Sequence, residues 1–223
     1  MKKLAIFDLD GTLISSLQDL TSCVNKAFDI FEIPPVTNAQ CMKALGHGAR
    51  MLIHDCLVMS GRIFLPESEF EGILDTYNNI YGEDSKSNTV PFDGIIEMLS
   101  KAREMGYKTA IVSNKPHAFT VDMSEKMFGD LIDFTYGQSE DFAKKPDPSI
   151  IYHLIEESGF KPSEAVYIGD SDVDVITAKN AAITSIAVTW GYRPKQTLVN
   201  EQPDYIVDSV PELEELLNSL FLN

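Results

Sequence analysis

The sequence predicts an α/β fold in which a doubly wound, Rossmann-like parallel sheet carries an inserted all-helical cap domain. Residues 3–7 form a short apolar run that is typical of a buried strand. Beyond residue 90, further apolar runs alternate with helical patterns, which indicates a parallel sheet with helices on both faces. Between residues 15 and 85, in contrast, only helical periodicity occurs.

Four helices are predicted in the inserted block, where apolar residues recur at three- and four-residue spacing. They cover residues 16–31, the stretch from the N-cap Thr37 to near Gly46, the stretch that opens with Gly46-His47-Gly48 and is broken at Ser60-Gly61, and residues 67–81. The polar residues 83–90 then indicate a return to the core. The predicted domains are therefore a core of residues 1–15 and 88–223 and a cap of residues 16–87.

The segments beyond that return alternate regularly between helix and strand. Helices are predicted over residues 93–105, 117–127, 148–158, 172–181 and 211–221. Strands are predicted over residues 109–112, 134–136, 165–168, 185–188 and 205–207. Ligands of such folds bind at the carboxyl ends of the strands. A domain inserted directly after the first strand is therefore expected to act as a lid over that edge.

The charge balance argues against a nucleic-acid partner. The formal net charge is −16, from 34 acidic and 18 basic residues, and the longest basic runs are the pairs Lys2-Lys3 and Lys144-Lys145. A protein that binds nucleic acid needs a basic face to neutralise phosphates. An anionic substrate would need local positive charge, and a metal ion with a few lysines is the expected source.

Cysteine usage and hydropathy predict a cytoplasmic protein without a membrane partner. Cys23, Cys41 and Cys56 are odd in number and form no C-x-x-C pair, so neither a disulfide framework nor a structural zinc site is indicated. The apolar run after the first three residues is ended by Asp8 and is too short for a signal peptide. No apolar run reaches membrane-spanning length.

Two carboxylates follow the first strand directly. Alternation places Asp8 and Asp10 on one side of an extended chain, with Leu9 pointing away, and Gly11 allows a sharp turn after them. Carboxylates this close repel one another unless a cation or a shared proton lies between them. They therefore belong either to an acidic turn after a strand or to an active site.

Other predicted core segments also present polar residues at the same edge. These residues are Ser113, Asn114 and Lys115, then Lys145 beside Pro146, then Asp170 and Asp174. Taken singly, a serine–asparagine pair is a common helix cap and a lysine is usually solvated. Taken together, acidic, hydroxyl and cationic groups at one edge of a parallel sheet indicate an active site.

The combined pattern resembles the four motifs of the haloacid dehalogenase-like hydrolase superfamily. The motifs are Asp8-x-Asp10-Gly11-Thr12, Ser113-Asn114, Lys145-Pro146 and Gly169-Asp170-x-x-x-Asp174. Their order and the helical insertion match over the whole chain. Within the superfamily, the most similar group is the phosphoglycolate phosphatases, through Ser113-Asn114-Lys115-Pro116, Pro91-Phe92-Asp93-Gly94 and Gly46-His47-Gly48. This resemblance implies a magnesium-dependent phosphatase that acts on a small phosphomonoester such as phosphoglycolate.

The resemblance also implies roles for the acidic residues. Asp8 would attack phosphorus and form an aspartyl-phosphate, and Asp10 would protonate the leaving oxygen and then activate water. Mg²⁺ would be held by the carboxylates of Asp8 and Asp170, and Asp10 would contribute mainly its backbone carbonyl. Asp174 would contact a metal-bound water or Lys145, without binding the metal directly.

Lys145 is expected to be the third catalytic residue, and the remaining core residues of the motifs are expected to bind the substrate. Lys145 would offset the charge of Asp8 and of the incoming phosphate. Ser113 and the amide of Asn114 would bind phosphoryl oxygens. Thr12 and Lys115 are also expected to contact the substrate, Lys115 because it directly follows the serine–asparagine pair.

Substrate choice is expected to depend on the cap. The glycines of Gly46-His47-Gly48 permit close backbone approach to a small anion, so Gly48 and Arg50 are candidate substrate contacts. Arg50 fits a surface position on a cap helix equally well. His47 fits a solvent-facing loop position better than a catalytic one.

Other functions stay open on the sequence alone. A sugar phosphomutase of the β-phosphoglucomutase kind would need a cap that holds a bisphosphate, and the usual cap motif of that group is not recognised here. Pyrophosphate and nucleotide monophosphates are alternative substrates. A non-enzymatic binding protein is a third interpretation, which the intact set of acids opposes. The expected partner is a small anionic phosphate compound, and the expected state is a monomer or a homodimer.

Overall fold

The computed structural model describes residues 3–83 and 87–220. Its Cα packing separates the chain into two compact units. One unit contains the residues up to Ile14 together with those from Pro91 onward, and the other is Ser15–Val90. Residues 84–86 of the predicted return segment and residue 221 of the last predicted helix lie outside the described residues.

The larger unit is built on a six-stranded sheet. In chain order, the strands of the described residues are β1 (Lys3–Phe7), β2 (Ile14–Ser15), β3 (Val90–Pro91), β4 (Tyr107–Pro116), β5 (Phe134–Gln138), β6 (Ala165–Gly169), β7 (Thr184–Val188) and β8 (Tyr205–Val207). The large sheet has the order β5-β4-β1-β6-β7-β8, and each neighbouring pair is parallel. This is the doubly wound α/β arrangement, in which the order reverses between β1 and β6.

Helices occupy both units. In chain order, they are α1 (Leu17–Ile30), α2 (Asn38–Ala44), α3 (Ala49–Met59), α4 (Glu67–Glu83), α5 (Ile95–Glu104), α6 (His117–Phe128), α7 (Ser149–Ser158), α8 (Asp172–Asn180), α9 (Lys195–Asn200) and α10 (Val210–Ser219). Within the described ranges, none of them is both long and apolar enough to cross a membrane.

The central strand β1 explains why the core lies on both faces of the sheet. Ala5 and Phe7 belong to one fully buried apolar cluster, which includes residues of α5 and α10. Leu4 and Ile6 point to the opposite face, where they join a second cluster with residues of α7 and α8. Because side chains alternate along a strand, an unbroken apolar run such as residues 4–7 is expected only where helices cover both faces.

The helical unit follows the local signals in its sequence. Thr37 caps α2, since its hydroxyl accepts a hydrogen bond from the N–H of Gln40 at 3.3 Å, as predicted. The buried carboxylate of Asp19 on α1 anchors the returning chain. It accepts hydrogen bonds from the Asn88 N–H at 3.0 Å, from Asn88 Nδ2 at 2.8 Å and from the Thr89 hydroxyl at 2.7 Å.

Three short elements and one long strand differ from the sequence-based prediction. α9 was not predicted, because its six residues after Pro194 contain too few apolar positions to show a helical period. β2 and β3 pair with each other and have two residues each, which is too short for the sequence to show the pattern of a strand. The expectation that no strand occurs between residues 15 and 85 is therefore wrong at Ser15. β4 extends to Pro116, beyond the predicted end at residue 112.

Truncation of Ile6 tests the central position of β1. Ile6 is fully buried, so Ile6→Ala is expected to lower the free energy of unfolding by about 2–5 kcal/mol through lost contacts and a cavity. The matched control is Ile96→Ala on α5, where the side chain is 37% exposed and the expected loss is below about 1 kcal/mol. Urea denaturation followed by the fluorescence of the single tryptophan measures both; similar losses in the two variants would contradict the assignment.

Candidate active site

The strand order brings most of the predicted core residues to one edge of the sheet. Asp8 follows β1, Asp170 follows β6, and residues 113–115 lie near the end of β4. Since β4, β1 and β6 are adjacent and parallel, their carboxyl ends meet. Asp8, residues 113–115, Lys145, Asp170 and Asp174 are all buried.

Three carboxylates meet at this edge. One oxygen each of Asp8, Asp170 and Asp174 lies within 4.8 Å of the other two. Asp170 is held in place by two donors, the Thr12 hydroxyl at 3.1 Å and the backbone N–H of Tyr192 at 2.7 Å. The Thr12 hydroxyl, predicted as a substrate contact, thus donates to a carboxylate in this structure.

Asp174 is oriented by the start of α8. The Ser171 N–H donates to its carboxylate at 3.0 Å and the Ser171 hydroxyl donates at 2.6 Å. The Asp174 N–H in turn donates to the Ser171 hydroxyl at 3.3 Å, which completes a capping box. Asp174 therefore combines a helix-capping role with a place in the carboxylate cluster.

The Lys145 ammonium lies among the carboxylates. Its Nζ is 2.7 Å from Asp174 Oδ1 and 3.0 Å from Asp8 Oδ1. It also donates to the Tyr167 hydroxyl at 2.8 Å, and that hydroxyl donates to the carbonyl of Val112 at 2.8 Å. From the sequence, Tyr167 was predicted only as a strand residue. A tyrosine inside a buried strand was the available signal, because its hydroxyl needs a polar partner.

Asn114 fixes the backbone of Lys145. Its Nδ2 donates to the Lys145 carbonyl at 3.0 Å, and its Oδ1 accepts from the Lys145 N–H at 2.8 Å. The side-chain amide of Asn114 is therefore engaged in positioning the lysine. Only its backbone N–H stays a candidate for the predicted phosphoryl contact.

Asp10 lies apart from the three-carboxylate cluster and pairs with Lys115. The Lys115 ammonium donates to Asp10 Oδ2 at 2.9 Å and to Oδ1 at 3.1 Å. Lys115 was predicted to contact the substrate, and no sequence signal indicated this partner, which is 105 residues away. Asp8 and Asp10 are close in sequence, but each carboxylate has its own lysine.

Burial and mutual repulsion raise the pKa values of two carboxyls in the cluster. Burial raises the pKa of Asp8 to about 6, with Lys145 opposing and Asp174 adding to the rise. Burial, together with the charges of Asp174 and Asp8, raises the pKa of Asp170 to about 8. Burial disfavours the Lys145 ammonium, but the charges of Asp174 and Asp8 outweigh it and hold the Lys145 pKa well above its usual value. One lysine therefore does not compensate the three carboxylates.

The chemistry of this donor set fits a hard divalent cation. Asp8 Oδ1 is buried and lies 3.0 Å from the Lys145 ammonium, and no described residue donates a hydrogen bond to it. Carboxylate oxygens are the ligands that Mg²⁺ prefers, and a cation would relieve the repulsion that raises the pKa of Asp170. The cluster itself therefore fits a bound magnesium ion.

Residues 190–192, after β7, also belong to the site, and they were not among the site residues predicted from the sequence. Trp190 Nε1 donates to the Thr12 carbonyl at 3.1 Å, and the Tyr192 N–H holds Asp170. Gly191 lies so close to Asp170 that a Cβ atom would overlap that side chain. The sequence does contain a signal for these residues. β7 ends at the same edge of the sheet as β1 and β6, and a Trp-Gly pair follows it.

The predicted cap residues lie within the helical unit. Gly48 precedes α3 with φ of 85°, in the region that favours glycine. Arg50 lies on α3, with Glu67 and Glu71 each 2.5 Å from its guanidinium, and its side chain is 52% exposed. The contacts of Arg50 in this structure are those of a surface arginine, and substrate contacts by Gly48 and Arg50 stay predictions.

Comparison with known proteins places the chain in a family. Residues 5–188 match the haloacid dehalogenase-like hydrolases, and the chain belongs to this family. Phosphoglycolate phosphatase 1 of Pseudomonas aeruginosa is 30% identical over 96% of this chain and 79% of its own length. Phosphoglycolate phosphatase of Haemophilus influenzae is 32% identical over 96% of this chain and 98% of its own length.

A solved structure gives the same result for the fold. The crystal structure described as a predicted phosphoglycolate phosphatase from Haemophilus somnus has a TM-score of 0.90 and 27% identity, and the match covers 96% of this chain and 97% of that chain. The resemblance recognised from the four motifs is therefore confirmed, and the chain is a hydrolase.

The pKa of Asp170 predicts how stability depends on pH without metal. It is about 8 in the folded protein, against about 4 in an unfolded chain, so folding takes up a proton. That stabilisation is complete below the unfolded pKa and is lost as the pH rises through the folded pKa. In EDTA, we expect the unfolding free energy to fall by about 2 kcal/mol between about pH 6 and 8, with a melting-temperature decrease of about 5 °C.

Two variants separate this effect from other titrations. Asp170→Asn should remove most of that decrease, because it cannot ionise, and should also remove the stabilisation by added Mg²⁺. Asp130→Asn changes an exposed aspartate and should keep both the pH-dependent decrease in stability and the stabilisation by Mg²⁺. Scanning calorimetry at both pH values measures the difference; an Asp170→Asn protein with the wild-type pH slope would disprove the assignment.

Gly191→Ala should weaken metal binding without adding or removing a ligand. The added Cβ would overlap Asp170 and displace its carboxylate, so the Mg²⁺ affinity is expected to fall about 10- to 100-fold, as for other residues that orient metal ligands. Gly72→Ala is the control, because its Cβ would make an ordinary 3.7 Å contact with the Phe31 ring. Isothermal titration calorimetry measures both; unchanged affinity in a folded Gly191→Ala protein would contradict the close contact.

Proposed function

We propose that this protein is a magnesium-dependent phosphatase that hydrolyses a small phosphomonoester, with phosphoglycolate as the first candidate. The observation that carries the proposal is the meeting of Asp8, Asp170 and Asp174 at the end of β1, with the Lys145 ammonium against Asp8 and Asp174. This arrangement offers a nucleophilic carboxylate, oxygen ligands for a cation and a fixed positive charge in one buried place.

Asp8 acts as the nucleophile. Its carboxylate oxygen attacks phosphorus, the P–O bond to the alcohol breaks, and an aspartyl-phosphate forms. Water then attacks that phosphorus, which releases inorganic phosphate and restores the carboxylate. The rigid setting of Asp8, between a central strand and a buried lysine, supports this role, because phosphoryl transfer depends mainly on positioning.

Asp10 acts as the acid and then the base. It gives a proton to the leaving oxygen in the first step and takes one from water in the second. Its separation from the three-carboxylate cluster supports a different task from that of Asp8. A carboxyl at this position favours ester hydrolysis over dehalogenation, since a halide leaves without protonation.

Asp8 and Asp170 would hold Mg²⁺ through their carboxylates, and Asp10 through its backbone carbonyl. When bound, the ion keeps Asp8 ionised and offsets the charge of the phosphoryl group. Asp174 positions Lys145, to which it is 2.7 Å away. Lys145 offsets charge on Asp8 and on the phosphoryl group, and Ser113 with the backbone N–H of Asn114 binds phosphoryl oxygens.

The names of the relatives support phosphoglycolate over other esters. Both relatives described above are named phosphoglycolate phosphatase and are at least 30% identical to this chain over nearly all of its length. A sugar phosphomutase, a pyrophosphatase and a nucleotidase share the chemistry at Asp8, and a substrate panel distinguishes them.

Asp8→Asn tests the nucleophile. An amide cannot form an acyl-phosphate, so phosphate release from phosphoglycolate should fall at least about a thousandfold, the scale expected when a nucleophile is removed. EDTA should abolish wild-type release, and excess Mg²⁺ should restore it. Asp130→Asn serves as the control for loss of one carboxylate and should keep wild-type release. Turnover by Asp8→Asn at the wild-type rate, in a colorimetric phosphate assay, would rule out the proposed mechanism.

A further inference from the structure

We propose that Lys115 exchanges ion-pair partners during the reaction and thereby selects substrates with a second anionic group. In the free enzyme it holds Asp10, and in the complex it holds an anion one or two carbons from the ester oxygen of the substrate. The inference rests on the proposed phosphatase function and deepens it, because it assigns a substrate class and the residue that distinguishes it.

Lys115 and Asp10 form a bidentate ion pair. The Lys115 ammonium donates to Asp10 Oδ2 at 2.9 Å and to Asp10 Oδ1 at 3.1 Å. The Lys115 side chain is 5% exposed and the Asp10 side chain is 18% exposed, so water weakens this pair little. Both carboxylate oxygens of Asp10 therefore accept from the same lysine.

The backbone of Lys115 is fixed, whereas the end of its side chain can move. The Lys115 N–H donates to the Ser113 hydroxyl at 3.4 Å, and the Thr120 hydroxyl donates to the Lys115 carbonyl at 3.2 Å. Gly137 packs against that carbonyl so closely that a Cβ atom there would overlap it. A lysine has a flexible four-carbon stem and a compact charge, so only its ammonium needs to change place.

The proposed chemistry requires such a movement. To protonate the leaving oxygen, Asp10 must turn one of its oxygens toward the substrate. In the arrangement described, both oxygens are directed to the Lys115 ammonium. The lysine must therefore release at least one of them before the ester bond breaks, and a buried ammonium needs another anion to go to.

The substrate can supply that anion because of its covalent geometry. Whatever is attached to the leaving oxygen lies beside Asp10, and so within reach of the Lys115 ammonium. In phosphoglycolate one methylene group separates the ester oxygen from a carboxylate. An ester with a neutral tail occupies the same place but offers no charge to Lys115. Binding of the anionic tail is thus converted into a higher catalytic rate, and not only into tighter binding.

The experiment compares two esters of equal carbon count, 2-phosphoglycolate and ethyl phosphate. The measured quantity is the ratio of their kcat/KM values, together with the two kcat values. Wild type should prefer phosphoglycolate, with a difference in kcat. Lys115→Met should lower the ratio about 10- to 100-fold, the range expected for a hydrogen bond to a charged group. Lys115→Arg, which keeps the charge, should retain most of the ratio.

Lys126→Met is the control, because Lys126 lies on the exposed side of α6 and pairs with Asp122 at 2.7 Å; the ratio should not change. Lys115→Gln replaces Lys115→Met if the latter does not fold, as judged by its melting curve, and the same fall is expected. Equal losses on both esters would show that Lys115 only positions Asp10, and would overturn the inference alone. Absence of phosphate release from either ester by wild type would overturn the proposed function and this inference with it.

Discussion

The ammonium group of Lys145 is the charge on which the geometry of the site depends. It lies between carboxylates delivered by β1 and α8 and against the hydroxyl of Tyr167 on β6. The backbone of Lys145 is fixed by Asn114 at the end of β4. A buried charge is tolerated only when it is paired and hydrogen-bonded, and so the lysine and its partners hold one another in place. Four elements of the core are joined in this way at a single point.

The same point carries more negative charge than the lysine can offset. Counted formally, the three carboxylates of the cluster leave an excess of two negative charges around one ammonium. Burial is the main cause of the raised pKa values of Asp8 and Asp170, and the neighbouring negative charges add to the rise. A divalent cation would remove this excess, which is why the cluster is suited to binding such an ion. Stability and function are therefore opposed here, because the repulsion that weakens the metal-free protein is what favours the cation.

Asp8 and Asp10 show how environment separates two similar side chains. They are two residues apart, but one faces the cluster and Lys145, whereas the other faces Lys115. Pairs of carboxylates with different surroundings are a common basis for assigning nucleophile and acid. Two lysines create that difference, Lys115 near the end of β4 and Lys145 in the loop between β5 and α7. In our proposal, Lys115 also connects the choice of substrate to the position of the acid.

The sequence by itself determined the fold class, most helices and strands, and most of the core residues that gather at the site. These features depend on local periodicity, capping and turn residues, which act over a few positions, and on motifs such as Asp8-x-Asp10-Gly11-Thr12. Short elements such as α9 escaped because six residues carry no measurable period.

Only the tertiary structure decided which side chains pair with which. The partners of Asp10, of Asp170 and of the Thr12 carbonyl are 105, 158 and 178 residues away along the chain. Strand order in the sheet brings these residues together, and no local pattern encodes that order. Three contacts of the site therefore depend on strand order. Asn114 fixes Lys145, Lys115 pairs with Asp10, and the Tyr192 N–H donates to Asp170.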